Sequence, residues 1–436
     1  MSIGNLKDYG NKGNNFPWQL KMLQGLDAIN SSITTGNITN ANSMAIDAFG
    51  RQRVSNPLTL FDSSHRYKDN GLWNTSTASG GTAVFSPNEG LVNLNVNTTN
   101  GSQVLRETTK VFSYQPGKSL LVFNTFVMAP AQSNLRQRVG YFGTDNGIYL
   151  QLNNQTSSFV ERSLVTGLVT ETVVNQSAWN VDSLDGTGPS GVVLDLTKAQ
   201  IMFMDIEWLG EGTVRVGFII DGVFLLCHKF NHANYIVSTY ITTASLPLRY
   251  EITNTGVTAN SSTLKQVCST VISEGGYELR GAQQAVGTPI TTPKSLAVAG
   301  TYYPVVSIKL RAGYQDAVVI LTALSIMGVA TGIYNWKVVA TGTTTGGAWV
   351  PAGVNSAVEY NITGTSFAGG RTLASGFLTS STQSSVNLDI LKEALFSFQL
   401  ERDSFTGTSY ELSLIVSAST NTELIYSSMD WEEVSR

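Results

Sequence analysis

The stretch from Thr213 to His228 constrains the architecture more tightly than any other part of the chain. Two runs of β-branched, aromatic and other apolar residues, Val214 to Ile220 and Val223 to Cys227, flank the dipeptide Asp221-Gly222. Asp-Gly tolerates the positive φ that a two-residue hairpin turn demands, so the stretch reads as two antiparallel strands. Gly210 and Gly212 supply another turn just upstream, after residues 200–208, which alternate once past their first positions. Residues 119–127 are a further run rich in β-formers. From about residue 45 to 280 the texture hardly changes. Many short strands with frequent turns and almost no helical periodicity point to an antiparallel sandwich.

The stretch from Gly275 to Pro293 is poorer in periodicity and holds Gly281, Gly287 and Pro289, which places a domain boundary there. Beyond it, residues 305–310, 317–327, 335–340, 357–362, 396–400 and 410–416 again read as strands. Residues 389–395 form the one good pair of helical turns in this half. At the other end, Pro17 suits a first helical turn, and Trp18, Met22, Leu26 and Ile29 follow on one helical face. Phe16 precedes them. Asn- and Gly-rich chain flanks this helix, which reads either as a docking or oligomerisation peptide or as a segment packed on its own body. The fold class expected is therefore all-β: two antiparallel β-sandwich domains of jelly-roll or lectin-like type, preceded by an extended N-terminal arm with one short helix. The divisions are an arm over 1–40, a lectin-like sandwich over 41–284 and a second sandwich over 285–436. No internal repeat of the propeller or solenoid kind is present.

Composition narrows the function. Only 13% of the 436 residues are charged while 42% are hydrophobic, with 41 glycines. Ordinary domains carry roughly 25% charged residues, and disorder needs low hydrophobicity with high net charge. The net charge of −4 offers no basic excess to neutralise phosphates, which argues against a nucleic-acid binder. Two cysteines, Cys227 and Cys268, cannot form a disulfide framework and fit a reducing site of synthesis. The first residues lack the apolar core of a signal peptide, and the most apolar stretch, residues 317–330, is too short to span a bilayer. The expectation is a soluble chain made in the cytoplasm that buries polar, uncharged faces against other copies or partners.

Few residue constellations carry chemistry. Cys227, His228 and His232 have the close spacing of zinc ligands, but a fourth ligand is not evident, and solvated or hydrogen-bonded histidines at a strand end are the simpler reading; His65 completes the three histidines. Asp205 and Glu207 alternate on one strand and project together, as the paired carboxylates of a glycoside hydrolase do, with Glu211 following. The Glu-x-Asp-x-x-Glu strand motif of β-sandwich glucanases fails here, because Phe203 replaces its first Glu and the third carboxylate is misplaced. Asp182, Asp185 and Asp145-Asn146-Gly147 offer loop oxygens for calcium, yet without regular spacing they are more simply turn formers. Trp73, Tyr141, Trp179 and Tyr235 are candidates to stack on sugars, against a core-packing role for each. No nucleophile elbow, P-loop or dinucleotide fingerprint appears in a fitting context. The sequence argues no enzyme, no cofactor and no metal.

A resemblance then enters. The opening Asn5 to Gln19, Gly50-Arg51-Gln52-Arg53-Val54-Ser55 and Phe61-Asp62-Ser63-Ser64 resemble virion structural proteins of large tailed bacteriophages, especially marine ones. Glu207 to Gly222, Leu246 to Ile252, Phe405 to Leu412 and Met429 to Glu433 are similar to the same proteins. The resemblance implies a particle component of tail, baseplate, fibre or capsid-decoration type, made in the host cytoplasm and resident in the virion. It implies partners among other virion proteins, bound through Phe16, Trp18, Met22, Leu26 and Ile29 of the arm, and a homo-oligomer, with a trimer preferred. The alternative is a carbohydrate-binding module for host adhesion, using Trp73, Tyr141, Trp179 and Tyr235 on a surface glycan.

Overall fold

The structure is a computed structural model that describes residues 57–275, 281–329, 332–379 and 399–435. The helix expected at 16–29, its docking residues Phe16, Trp18, Met22, Leu26 and Ile29, and the helical turns expected at 389–395 lie outside the described residues. Within them the chain is two antiparallel β-sandwiches, each with its own core.

The larger sheet of the first sandwich runs, in spatial order, β13 (Val223–Phe230), β12 (Val214–Ile220), β11 (Gln200–Ile206), β6 (Ser119–Val127), β15 (Ser262–Glu274), β4 (Leu91–Val96) and β3 (Thr82–Ser86). β1 (Leu58–Ser64) also pairs with β15. The facing sheet runs β10 (Thr170–Asn175), β9 (Thr156–Ser163), β8 (Gly147–Asn153), β7 (Leu135–Phe142), β14 (Leu248–Asn254), β5 (Gln103–Thr108) and β2 (Trp73–Ala78). The expected hairpin is present: Asp221 and Gly222 turn at φ 51° and 75° between β12 and β13. Alternation sends Val122, Phe126, Met202, Met204 and Leu264 from one sheet against Val139, Ile148, Leu150, Tyr250 and Ile252 from the other. Polar ties cross the same gap, with Trp73 Nε1 donating to Ser63 Oγ at 2.8 Å and Arg106 Nε to Gln266 Oε1 at 2.6 Å.

The second sandwich pairs β21 (Val350–Pro351), β22 (Val358–Asn361), β18 (Tyr303–Leu310), β24 (Glu411–Ala418), β20 (Ile333–Thr345) and β23 (Ser366–Thr379) in one sheet. Its smaller sheet gathers β16 (Ala282–Gly287), β17 (Lys294–Leu296) and β19 (Val318–Gly328) around β25 (Glu423–Ser435). Val306, Ile308, Leu412, Leu414 and Val416 face Leu321, Leu324, Ile425, Met429 and Trp431 in its core. The boundary expected between 284 and 285 cuts through β16 and is corrected here. That strand pairs with β25 from Ala282 to Gly287, so it belongs wholly to the second sandwich. Its two alanines, two glutamines and closing glycine hide a strand whose partner lies some 150 residues away.

Candidate functional site

The face of the seven-stranded sheet turned away from the core gathers Glu107, Arg138, Arg162, Arg249 and Glu251, all buried, in a charge-poor chain. Val139, Tyr141, Leu248 and Tyr250 point into the core, so Arg138, Gly140, Phe142, Arg249 and Glu251 point outward. Register then lines the outward residues into rows across the strands. One row reads Asn74, Glu107, Arg249, Gly140, Tyr149, Val160 and Val173. The next reads Ser76, Leu105, Glu251, Arg138, Gln151, Ser158 and Asn175. Gly140 lets β7 and β8 close up at the centre: a Cβ there would sit 2.4 Å from the Ile148 carbonyl oxygen and 2.6 Å from the Tyr149 Cα.

These side chains bind one another. Arg249 grips Glu107 Oε2 through Nε at 2.7 Å and Nη2 at 2.6 Å. Arg138 donates from Nε to Gln151 Oε1 at 2.8 Å and lies between Glu251 at 3.8 Å and Glu171 at 3.6 Å. Arg136 reaches Glu251 at 2.9 Å, while Arg162 and the Tyr149 hydroxyl both donate to Glu171 Oε1, at 2.6 and 2.7 Å. The guanidiniums of Arg138 and Arg162 stand 5.1 and 5.3 Å from the Tyr149 ring, and that of Arg249 stands 5.2 Å from Phe142. Burial opposes ionisation of Glu171, yet Arg162, Tyr149 and Arg138 hold its carboxyl below the usual range. Burial pushes the Glu107 carboxyl up against the pull of Arg249. Arg136 and Glu171 remain about a quarter exposed at the edge of this lattice, at 26% and 29%. The result is an array of donors and acceptors locked in place before any ligand arrives.

At one end the lattice meets loops from both sandwiches. Arg162 Nη1 donates to the carbonyls of Gly143 and Thr144, and Asn146 ties that loop to Leu164 and Thr242. From the second sandwich, Asp403 accepts from the backbone of Phe405 and Thr406, from Tyr410 and, at 3.3 Å, from Asn74. Lys110 pairs with Glu401 at 3.2 Å across the same junction. A cleft of about 250 Å³ lies between the two sets of loops.

The sequence-derived candidates fall elsewhere. Trp73, Tyr141 and Trp179 are corrected as stacking platforms: all three are buried in the first core, Trp73 edge-on to Tyr250 and Trp179 against Phe159 at 4.5 Å. Alternation carries the Trp73 and Tyr141 rings inward, and the turn after β10 carries that of Trp179 inward, away from any sugar. Of the four, Tyr235 alone is exposed, at 77%. Asp205 is buried and paired with Arg215, its direct cross-strand neighbour, on the larger sheet, and Glu207, also buried, lies past the strand end. Asp205 is thus neutralised within the fold, far in topology from the lattice. Glu211 is exposed.

The proposed metal ligands do not converge. The Cys227 thiol is in the core, Asn180 N–H donates to His228 Nδ1, and His232 is held between the Gly212 carbonyl and Glu161 at 2.7 Å while stacking on Tyr240. Burial lowers the His228 imidazole to about 4 and, with the Arg106 charge and against Asp69, lowers His65 likewise to about 4. Burial also opposes protonation of His232, but Glu161 raises it overall. Among the described residues no group of three His, Cys, Asp or Glu side chains is placed to hold a metal ion. Asp182 accepts from Leu184 and Ser190 N–H, and Asp185 is held at about 2 by Thr187 and Ser183. With Asn146 spent on Leu164 and Thr242, these loop oxygens build turns. Among the described residues no helix is long and apolar enough to cross a membrane.

The lattice itself went unread in the sequence. Its trace was there in Arg106-Glu107, Arg136-Gln137-Arg138, Glu161-Arg162 and Arg249-Tyr250-Glu251, charges concentrated within strands of a chain with few to spend.

No protein-family model matches the chain, and no curated protein matches it significantly. Solved structures similar to it cover about half of its length. The carbohydrate recognition domain of Emp47p matches at 12% identity and a TM-score of 0.31, over 49% of this chain and 96% of that one. A legume lectin-like domain from Entamoeba histolytica matches at 10% and 0.29, over 48% and 95%. The CBM2 module of the evolved Dit of Lactobacillus casei BL23 phage J-1 matches at 7% and 0.33, over 51% and 98%. By its own strands and sheets the chain is all-β, as expected, with antiparallel sandwich architecture.

Proposed function

We propose that this chain is a non-catalytic, carbohydrate-binding structural protein of a tailed-phage particle, with its first sandwich as the binding body. The observation that carries the binding role is the pre-locked lattice on the seven-stranded sheet. A sugar chain is recognised by many weak hydrogen bonds, and side chains already held in place lose little entropy in making them. Arg136 and Glu171, braced by Glu251, Arg162 and Tyr149, provide such groups at the lattice edge. Binding is favoured over hydrolysis because Glu107, Glu171 and Glu251 are each clamped by arginine. A glycosidase needs one carboxyl free to act as acid and another free to attack or activate water. The particle role rests on the sequence resemblance, and the low charge of the chain agrees with faces buried between subunits.

The test is binding of the intact protein to a glycan array and to host-envelope polysaccharide. Arg136→Ala with Glu171→Gln is expected to weaken binding about tenfold, with no polysaccharide cleavage by the parent. Absence of binding to any glycan would remove the carbohydrate role. Incorporation of a chain lacking residues 1–40 into particles at the parental level would remove the docking role of the arm.

A further inference from the structure

We infer that the cleft at the junction of the two sandwiches takes a single neutral or amino-bearing sugar ring, stacked on Phe405 and hydrogen-bonded to Asp145. The inference rests on the carbohydrate-binding reading and assigns the unit that is recognised. Size comes first. At about 250 Å³ the cleft is smaller than the roughly 300–1,000 Å³ pockets of drug-sized ligands, so it suits one ring of a longer chain.

Its walls are built rather than loose. Asn146 and Arg162 fix the loop that carries Asp145, and Asp403 folds the loop that carries Phe405 by accepting two backbone N–H groups at 3.0 and 2.8 Å. Arg402 ties that second loop to Asp316 at 3.0 Å. What these ties leave over defines the ligand. Phe405 is 39% exposed, an aromatic face at the mouth of a polar cleft. Asp145 is exposed and makes no hydrogen bond or ion pair among the described residues, while Thr243 adds a hydroxyl to the lining. The arginine is neutralised by Asp316 and the Asp403 carboxylate is used up by its donors, so the free charge is the single negative one of Asp145. An acidic sugar or phosphate would be repelled, whereas hydroxyl or ammonium donors would be accepted. The apolar C–H face of a pyranose suits Phe405, and its equatorial hydroxyls suit the carboxylate and the Thr243 hydroxyl.

The experiment uses the full chain against immobilised oligosaccharides ending in a neutral hexose, a hexosamine or a uronic acid. Phe405→Ala and Asp145→Asn are each expected to weaken binding of the neutral and amino termini at least tenfold. Both should leave the melting temperature unchanged, since both side chains are surface groups outside the core. Hydrogen exchange in residues 143–146 and 402–407 should slow together when the sugar is bound, because the ring contacts both loops. Glycan binding that survives both substitutions but falls with Arg136→Ala and Glu171→Gln would overturn the cleft while leaving the carbohydrate role standing. Preference for the uronic acid terminus would overturn it as well. A parent chain that binds none of the probes would remove the carbohydrate role and this inference with it.

Discussion

The two sandwiches bury carboxylates in different company. In the first, the buried Glu107, Glu251 and Asp205 each face an arginine on an adjacent strand. In the second, Glu433 is held by the Ser356 hydroxyl, the Ala357 N–H and the Trp431 indole N–H. Glu423 there receives the hydroxyls of Tyr334 and Thr420, and Glu432 receives Gly281 N–H and Gln283. On these strands of the first body charge balances charge, and on those of the second neutral dipoles solvate it. The difference shows how a chain with few ionisable residues divides them: paired where a polar face is presented, single where a core must be pinned.

The comparison is most exposed to Glu107→Ala, the largest expected effect. Removing this fully buried carboxylate leaves Arg249 buried without its partner, and breaking such a pair costs about 3–5 kcal/mol. Adding Arg249→Met should restore much of that loss in denaturant unfolding; no recovery would mean that pairing is not what the site needs. Next comes Glu433→Gln, which keeps an oxygen acceptor for the three neutral donors but turns an amide toward one of them. A loss of about 1–3 kcal/mol is expected, little changed between low and high salt. A loss as large as that of Glu107→Ala would erase the distinction between the two bodies.

The smallest effect concerns acid. All three histidines of the chain lie in the first sandwich. His65 and His228 titrate at about 4 in the folded protein, below the 6.5 of an unperturbed imidazole. Between pH 6.5 and 4 the unfolded chain therefore binds protons that the folded chain refuses, and stability falls as pH falls. The loss is at most ~3 kcal/mol per histidine. His232 works in the opposite sense: its raised value contributes stability at low pH that is lost as pH rises through the folded value. Hydrogen exchange should report net loosening of the first sandwich across this window, while the second keeps its protection. Equal loosening of both would contradict the asymmetry.

Much of the fold was legible because its signals are local. Residues 119–127 announced β6 to the residue, and Asp221-Gly222 placed a hairpin where the chain makes one. Even the Asp205–Arg215 pair was within reach, since both stand five residues from Gly210 at the turn between β11 and β12. The lattice was not. Arg138 meets Glu251 and Glu107 meets Arg249 only after strands more than a hundred residues apart have been laid side by side. Period-2 alternation shows that two residues share a face but not which partner that face will meet. The aromatics misled for a related reason, because Trp73 opens an edge strand and looks like a loop residue until the opposite sheet covers it.

The position of β15 sets a timetable. This strand pairs with β1, β4 and β6, so the larger sheet of the first sandwich cannot close until residues 262–274 leave the ribosome. About 135 residues separate the end of β6 from the start of β15. At ordinary rates of synthesis that is a wait of roughly 7–27 s, during which Leu94, Val122 and Phe126 have no finished sheet to enter. Long-range pairing of this kind makes for slow folding and a nascent chain open to aggregation. The strand order that closes the larger sheet therefore leaves half of the first core waiting, through synthesis, for a strand made late.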